Sequence, residues 1–198
     1  MKDTSPQTIY LKDYTPFGWQ IADVHLTFKL SAGATRVVSK IHFVPNQDAP
    51  AQDFFLHGEQ VKLIRAAIDG TAVTPKVSDA GLTCAVPSGP FLWESEVEIA
   101  PDANTALEGL YMSGGMYCTQ CEAEGFRKIT YYPDRPDVMA RFHVTLEGDA
   151  PVLLSNGNPM AQEEASSSKR KPSKKALRAK ALGQSGGGKP RSGKPRRR

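Results

Sequence analysis

Long hydrophobic runs and cysteine are both scarce in this 198-residue sequence, and each shortage excludes a class of protein. No run approaches the roughly 18 to 20 apolar residues that a membrane-spanning helix requires. The first ten residues also lack the basic and then apolar pattern of a signal peptide. The three cysteines, Cys84, Cys118 and Cys121, are an odd number without the spacing of a disulfide framework. We therefore expect a cytoplasmic protein with reduced thiols and no membrane partner.

Acidic residues are absent from the end of the chain, although the whole sequence holds 21 of them. Residues 166–198 contain 13 of the 25 lysines and arginines, which leaves 12 bases against all 21 acids in residues 1–165. The net charge of +4 thus divides into −9 before residue 166 and +13 after it. Such a division is typical of a globular domain followed by a basic extension.

Alternating apolar residues predict strands through most of the acidic part. In 20–30 the apolar side chains settle into a period of two, and 34–44 repeats the pattern after a turn at Ser31-Ala32-Gly33. These two segments are predicted to form an antiparallel hairpin. Further segments with strand character are 53–57, 61–68, 71–77, 81–86, 92–99, 141–146 and 152–154.

The predicted fold is mostly β, a saddle-like antiparallel β-sandwich or open barrel, because short strands recur at intervals of roughly 8 to 12 residues. One short helix is predicted over 134–140, where Asp134 is a candidate cap and Pro136 lies in the first turn. The expected domains are an N-terminal lead-in, a β domain that is incomplete at its C-terminal end, and a disordered tail, at 1–12, 13–159 and 160–198.

Disorder is predicted for the tail because it has too few apolar residues to fold. Residues 166–198 contain only Leu177 and Leu182 as sizeable apolar side chains among Ser, Gly, Pro, Lys and Arg. Burial cannot then offset the entropy of ordering the segment, so we expect coil, with at most a transient helix over 175–182.

Known catalytic signatures are also missing. The sequence has no H-E-x-x-H, no Gly-rich phosphate loop and no G-x-S-x-G, and its four histidines lack zinc-ligand spacing. His25 and His42 are expected to be ordinary residues of a sheet face. Cys118 and Cys121 have the two-residue gap of zinc and redox motifs, but a zinc site needs a second pair of ligands and a redox motif needs a βαβ context. We expect thiols that pack or stay idle, with metal or redox chemistry as the alternative.

The most informative stretch is 108–141, where polar, charged and aromatic residues crowd between two predicted strands. It contains a glycine turn at Gly114-Gly115 and the run C-T-Q-C-E-A-E-G-F-R over 118–127. Such a composition indicates either a functional loop or a solvated connector in which Arg127 and Arg135 pair with nearby carboxylates. The residues alone leave both interpretations open.

This stretch closely resembles the N-terminal domain of bacterial aminopeptidase N, from the gluzincin family of zinc aminopeptidases. The resemblance continues in the run L-L-S-N-G-N over 153–158 and extends more loosely back to 10–14. The resemblance implies a saddle-shaped β domain with a loop that extends into a catalytic domain. It also implies an enzyme that removes N-terminal amino acids from peptides. By the same resemblance, Gln120 lines the pocket for the first side chain and Glu122 binds the free α-amino group. Glu124 receives no role.

The resemblance ends before the residues that perform the chemistry in this family. The sequence lacks the Gly-Ala-Met-Glu-Asn substrate segment, the H-E-x-x-H motif and the downstream glutamate, the last two of which hold zinc in the family. We therefore expect a truncated aminopeptidase N that helps to bind a peptide amino terminus but has no zinc ligands or catalytic residues. It should be inactive unless a separate chain supplies the catalytic half.

The basic tail supports an alternative from a different class of function. Its thirteen cations with Gly and Pro spacers suit nonspecific binding to nucleic acid phosphates, although no aromatic residue lies among them to stack on bases. The alternative is a non-catalytic β-domain adaptor that binds RNA or DNA through 169–198. The abrupt change of composition also fits a reading-frame change, which would make the tail an incidental polycation.

Overall fold

The computed structural model of the protein describes residues 10–163 and 175–181. Two 3-10 turns lie in these residues, Leu11–Asp13 and Phe126–Lys128. None of the helical segments within them has the length and apolar content needed to span a bilayer. The strands are β1 (Trp19–Lys29), β2 (Thr35–Pro45), β3 (Phe55–His57), β4 (Lys62–Ile68), β5 (Thr71–Val73), β6 (Lys76–Ser78), β7 (Gly81–Thr83), β8 (Phe91–Ile99), β9 (Gly109–Ser113), β10 (Met116–Gln120), β11 (Arg141–Gly148), β12 (Asn158–Glu163) and β13 (Lys175–Ala181).

Three sheets organise these strands. The largest has the order β12-β13-β11-β1-β2-β8-β4-β5, a second consists of β3-β7-β6, and β9 and β10 form a separate hairpin. β1 and β2 pair antiparallel across the predicted turn, which confirms the hairpin. β11 adds to the other side of β1 in parallel, with Asp23 opposite Arg141. The prediction of a mostly β fold is confirmed. Apart from β1 and β11, all strand pairs of the described residues are antiparallel, as predicted.

The core joins the inner face of the large sheet to the three-stranded sheet. Residues along β8 alternate between buried and half-buried, as expected for a strand with one face in the core. Trp93 of β8 is completely buried. Leu56 of β3 and Leu82 of β7, on the three-stranded sheet, are completely buried as well. Phe54 packs against the Phe43 ring edge to face at 5.0 Å and against Trp93 at 5.6 Å. Aromatic packing of this kind fixes the two sheets relative to each other.

The C-terminal part of the informative stretch is anchored to this core. His57 and Tyr132 exchange backbone hydrogen bonds of 2.9 and 3.0 Å, which attach the segment to β3. The Tyr131 ring is 1% exposed and lies directly over Gly58, where a Cβ would come within 2.3 Å of it. Only glycine leaves room for the ring at that position.

The predicted helix over 134–140 is wrong, because its residues form other contacts. The Asp134 carboxylate, expected to cap the helix, accepts hydrogen bonds from Arg127. Arg135 precedes a proline, which disfavours the helical conformation, and its guanidinium forms a fork with Asp137. These contacts hold the segment in turns and coil.

Several strand boundaries also differ from the prediction. The segment 71–77 divides into β5 and β6, 81–86 ends as a strand at Thr83, and 152–154 lies outside the strands. The hairpin of β9 and β10 was not predicted, because the polar residues of 109–120 do not alternate with apolar ones in the pattern of a half-buried strand.

The predicted disordered tail, 160–198, is described only at 160–163 and 175–181. There the structure has strands β12 and β13 where coil or a transient helix was expected. β13 pairs antiparallel with β11, with Lys180 opposite His143, and β12 pairs with β13. Backbone pairing along an otherwise open edge of β11 supplies the hydrogen bonds that the composition of the segment did not suggest. The rest of the predicted tail lies outside the described residues.

Candidate functional site

The stretch that carries the family resemblance begins as a β-hairpin. β9 and β10 pair over their whole length, with Gly109 opposite Gln120. Gly114 and Gly115 form the turn with φ of 56° and 81°, the positive values that a two-residue type I′ turn requires. The hairpin therefore fixes Gln120 at the end of β10, two residues before Glu122.

Two glycines allow the chain after β10 to close tightly against the base of this hairpin. Gly109 has a φ of 71°, and a Cβ there would lie 2.8 Å from the Cβ of Lys128. A Cβ on Gly125 would lie 2.3 Å from the carbonyl oxygen of Gln120 and 3.1 Å from the nitrogen of Gly109. The two ends of the connecting loop are thus packed backbone against backbone, with no room for a side chain.

Residues 121–125 form a tight turn that exposes the Glu122 side chain. The Gly125 amide donates to the Cys121 carbonyl at 2.8 Å, and Gln120 Nε2 donates to the Glu122 carbonyl at 3.2 Å. The Glu122–Ala123 peptide bond is cis. Gln120 and Glu122 are both exposed, and within the described part of the chain the Glu122 carboxylate has no hydrogen-bond or ion-pair partner. The structure therefore places the two predicted residues side by side, with one carboxylate free to accept an external cation.

Glu124 differs from Glu122 in having a partner. Its Oε2 lies 3.3 Å from Nη1 of Arg127, three residues further along the chain. The Glu124 side chain is 58% exposed, so this pair contributes little to stability. The two carboxylates therefore have different surroundings although they lie in the same turn.

Arg127 is fixed much more strongly by Asp134. Arg127 Nε and its backbone amide both donate to Asp134 Oδ2, at 3.0 and 3.1 Å, and Nη2 donates to the Asp134 carbonyl at 3.0 Å. The Asp134 amide donates in turn to Nδ1 of His57 at 3.2 Å. Burial lowers the pKa of His57, with a further contribution from the Arg127 charge, which favours the neutral ring that accepts this bond. Arg127 and Arg135 both pair with local carboxylates, which is the feature that the connector interpretation expected.

Lys128 was not predicted to matter, yet it anchors the base of the hairpin. Its side chain is 7% exposed, and Nζ lies 2.8 Å from Glu108 and 3.2 Å from Glu59. The hydrogen bond that Lys128 donates to Glu108 raises the pKa of Lys128 despite the opposing effect of burial, so the ammonium form is retained. Sequence patterns give little warning of a buried lysine, because its two partners lie far apart in the chain.

The cysteines of the C-x-x-C sequence have separate environments. Cys121 packs against the hydrophobic core, and burial raises the pKa of its thiol. Cys118 lies half-buried on β10 opposite Tyr111, and both thiols are free. Because the thiolate is the form that binds metals and attacks disulfides, burial of Cys121 favours the structural interpretation.

The four histidines lie on strands of the sheets. His25 of β1 stacks on His143 of β11 with ring centroids 4.4 Å apart, and His143 Nε2 lies 3.2 Å from an Asp23 oxygen. His42 is exposed on β2. Across 10–163 and 175–181, no group of three or more His, Cys, Asp or Glu side chains is arranged to hold a metal ion.

Comparison with solved structures identifies the class of fold. It is shared with a Deinococcus radiodurans M1 zinc metallopeptidase, which superimposes with a TM-score of 0.66 over 84% of this chain and 39% of that one at 16% identity. The Legionella pneumophila aminopeptidase A in complex with aspartic acid superimposes with a TM-score of 0.77 over 86% of this chain and 20% of that one, at 26% identity.

The chain belongs to the Peptidase M1 N-terminal domain family, whose profile matches residues 23–174. It is 46% identical over 166 residues to aminopeptidase N of Caulobacter vibrioides and 45% identical over 170 residues to aminopeptidase N of Escherichia coli. These matches cover 81% and 83% of this chain but 19% of each relative. The chain thus corresponds to an N-terminal domain and spans about one fifth of the length of these relatives.

Proposed function

We propose that this chain acts as the N-terminal domain of an aminopeptidase that releases N-terminal amino acids from peptides. In that role Glu122 binds the α-amino group of the substrate, and Gln120 lines the pocket for the first side chain. The observation that carries the proposal is the exposed, unpartnered Glu122 carboxylate on a turn fixed by two hydrogen bonds. The two relatives named aminopeptidase N indicate the reaction.

A carboxylate at this position selects a free amino terminus by charge. An α-amino group has a pKa of about 7.7 to 8.0, so it is mostly an ammonium at neutral pH. Its N–H groups form charge-assisted hydrogen bonds with a carboxylate, which an uncharged internal peptide bond cannot match. A peptide held in this way presents its first peptide bond at a fixed distance from Glu122.

The residues of this chain do not fit the zinc site that the family implies. The related M1 peptidases are zinc metallopeptidases, whereas the described residues contain no metal-binding group and the whole sequence has no H-E-x-x-H. In the proposed division of roles, the side chains of this chain bind and orient the amino terminus of the substrate. Water activation is left to a catalytic half, in a longer polypeptide or in a separate chain.

A fusion tests this division of roles. We expect residues of this chain to replace the matching 166-residue segment of the Caulobacter vibrioides aminopeptidase N with retention of activity, within about tenfold in kcat/KM on an aminoacyl reporter substrate. The free chain supplied with zinc should give no turnover. A folded fusion without turnover, or turnover by the free chain, would contradict the proposal.

Nucleic acid binding by the basic tail is a second candidate function, based on its composition. Replacing the six lysines and arginines of 182–198 with glutamine should weaken binding to a labelled RNA or DNA oligonucleotide. If the unsubstituted chain makes six to ten phosphate contacts, raising the salt concentration from 50 to 200 mM should lower its affinity roughly 10³- to 10⁵-fold. Equal binding by both proteins, or binding insensitive to salt, would end this candidate.

A further inference from the structure

Arg127 is one of the side chains that attach the Glu122 turn to the core, together with Cys121 and Phe126, which pack against buried hydrophobic residues. The turn ends at Gly125, and the 3-10 turn Phe126–Lys128 follows immediately. Within it, Arg127 Nε, Nη2 and the backbone amide all donate to Asp134. Both side chains are largely buried, with Arg127 15% and Asp134 13% exposed.

The Asp134 end of this contact is itself rigid. Its amide donates to Nδ1 of His57 and to the carbonyl of Tyr132. The His57 backbone is bonded in both directions to Tyr132. The Arg127 carbonyl also accepts from the Glu59 amide at 2.9 Å, beyond the end of β3. A continuous set of hydrogen bonds thus connects the Glu122 turn to the three-stranded sheet.

We propose that Arg127 is a positioning residue for amine binding, which holds the 121–125 turn in place through Asp134 and acts on the substrate only through Glu122. This rests on the function proposed above for Glu122. A guanidinium suits the task because its planar array of donors binds a carboxylate oxygen and a carbonyl together. A lysine keeps the charge but has no such array, so the turn loses its fixed position.

Amide exchange in the free chain tests the structural half of this inference without any assumption about activity. Arg127→Lys should accelerate hydrogen exchange in 121–125 by about tenfold. The matched control is Arg135→Lys, which removes a similar fork, with Asp137, that does not contact the turn. The control should leave exchange in 121–125 unchanged. Equal exchange in the Arg127→Lys and unsubstituted chains would overturn the inference.

A double-mutant cycle in the active fusion tests the functional half. Arg127→Lys should raise KM about tenfold with kcat within about twofold, and in a Glu122→Gln background it should change KM by less than about twofold. An equal rise in both backgrounds, or no rise in either, would overturn the inference. If Glu122→Gln itself changes nothing, the proposed function fails, and the exchange experiment still decides whether Arg127 holds the turn. Should Arg127→Lys not fold, Asp134→Asn takes its place with the same expected pattern.

Discussion

Glu122→Gln should raise the KM of the active fusion for an aminoacyl substrate by about 10- to 100-fold, because a hydrogen bond to a charged group contributes roughly 1.5 to 3 kcal/mol. Glutamine has nearly the same shape as glutamate and keeps one acceptor oxygen, so the change removes charge rather than volume. The ammonium is bound before and during the reaction. Loss of an interaction that is present both before and during the reaction mainly raises KM, while kcat changes less. Steady-state kinetics at neutral pH measure both.

Glu124→Gln is the matched control for this substitution. Glu124 lies two residues away in the same turn, but it pairs with Arg127 and its side chain is 58% exposed. Its replacement should change KM by less than about threefold, since exposed ion pairs contribute little. Equal effects of the two substitutions would mean that the turn responds to its total charge and that Glu122 has no special role.

Gly125→Ala should destabilise the free chain by about 3 kcal/mol, at the upper end of the cost of forcing extra atoms into a packed site. The new methyl group would meet the Gln120 carbonyl oxygen at 2.3 Å and the Cys121 Cα at 3.0 Å. Both are backbone atoms and cannot rotate away. The φ of Gly125 is −78°, so steric overlap and not backbone conformation causes the loss. Thermal unfolding should show a decrease of roughly 6 to 12 °C in Tm.

Gly89→Ala is the matched control for the steric argument. Nothing lies within 4 Å of a Cβ at Gly89, and its φ is not in the left-handed region. Alanine there should alter stability by less than about 0.5 kcal/mol. If Gly125→Ala were equally harmless, the close packing of the turn on the hairpin would be refuted.

Periodic parts of the fold could be predicted from the sequence, and compact polar parts could not. β1, β2 and β8 alternate apolar and polar residues, which is a direct consequence of having one face in the core. The helix predicted over 134–140 does not form, because Asp134 bonds with Arg127, seven residues earlier, instead of capping a helix, and because Pro136 disfavours the helical conformation of Arg135. Local propensity is a weak guide wherever side chains make specific bonds to residues outside the predicted element.

The candidate site was predicted through resemblance, and only part of its support was visible. Gln120 and Glu122 followed from the C-T-Q-C-E-A-E-G-F-R run, and the structure adds their mutual hydrogen bond. The contacts of Lys128 with Glu59 and Glu108 carry no sequence signature, because charged residues are usually solvated. Gly125 is also indistinguishable from a flexible loop glycine until its distance to the Gln120 carbonyl is known.

A pair of competitive inhibitors that differ only in the presence of the α-amino group would probe the Glu122 carboxylate most directly. In the unsubstituted fusion, the inhibitor with the amine should bind about 10- to 100-fold more tightly than its counterpart. In the Glu122→Gln fusion that ratio should fall close to one, with little change for the inhibitor that lacks the amine. A ratio that is the same in both proteins would show that another group binds the ammonium.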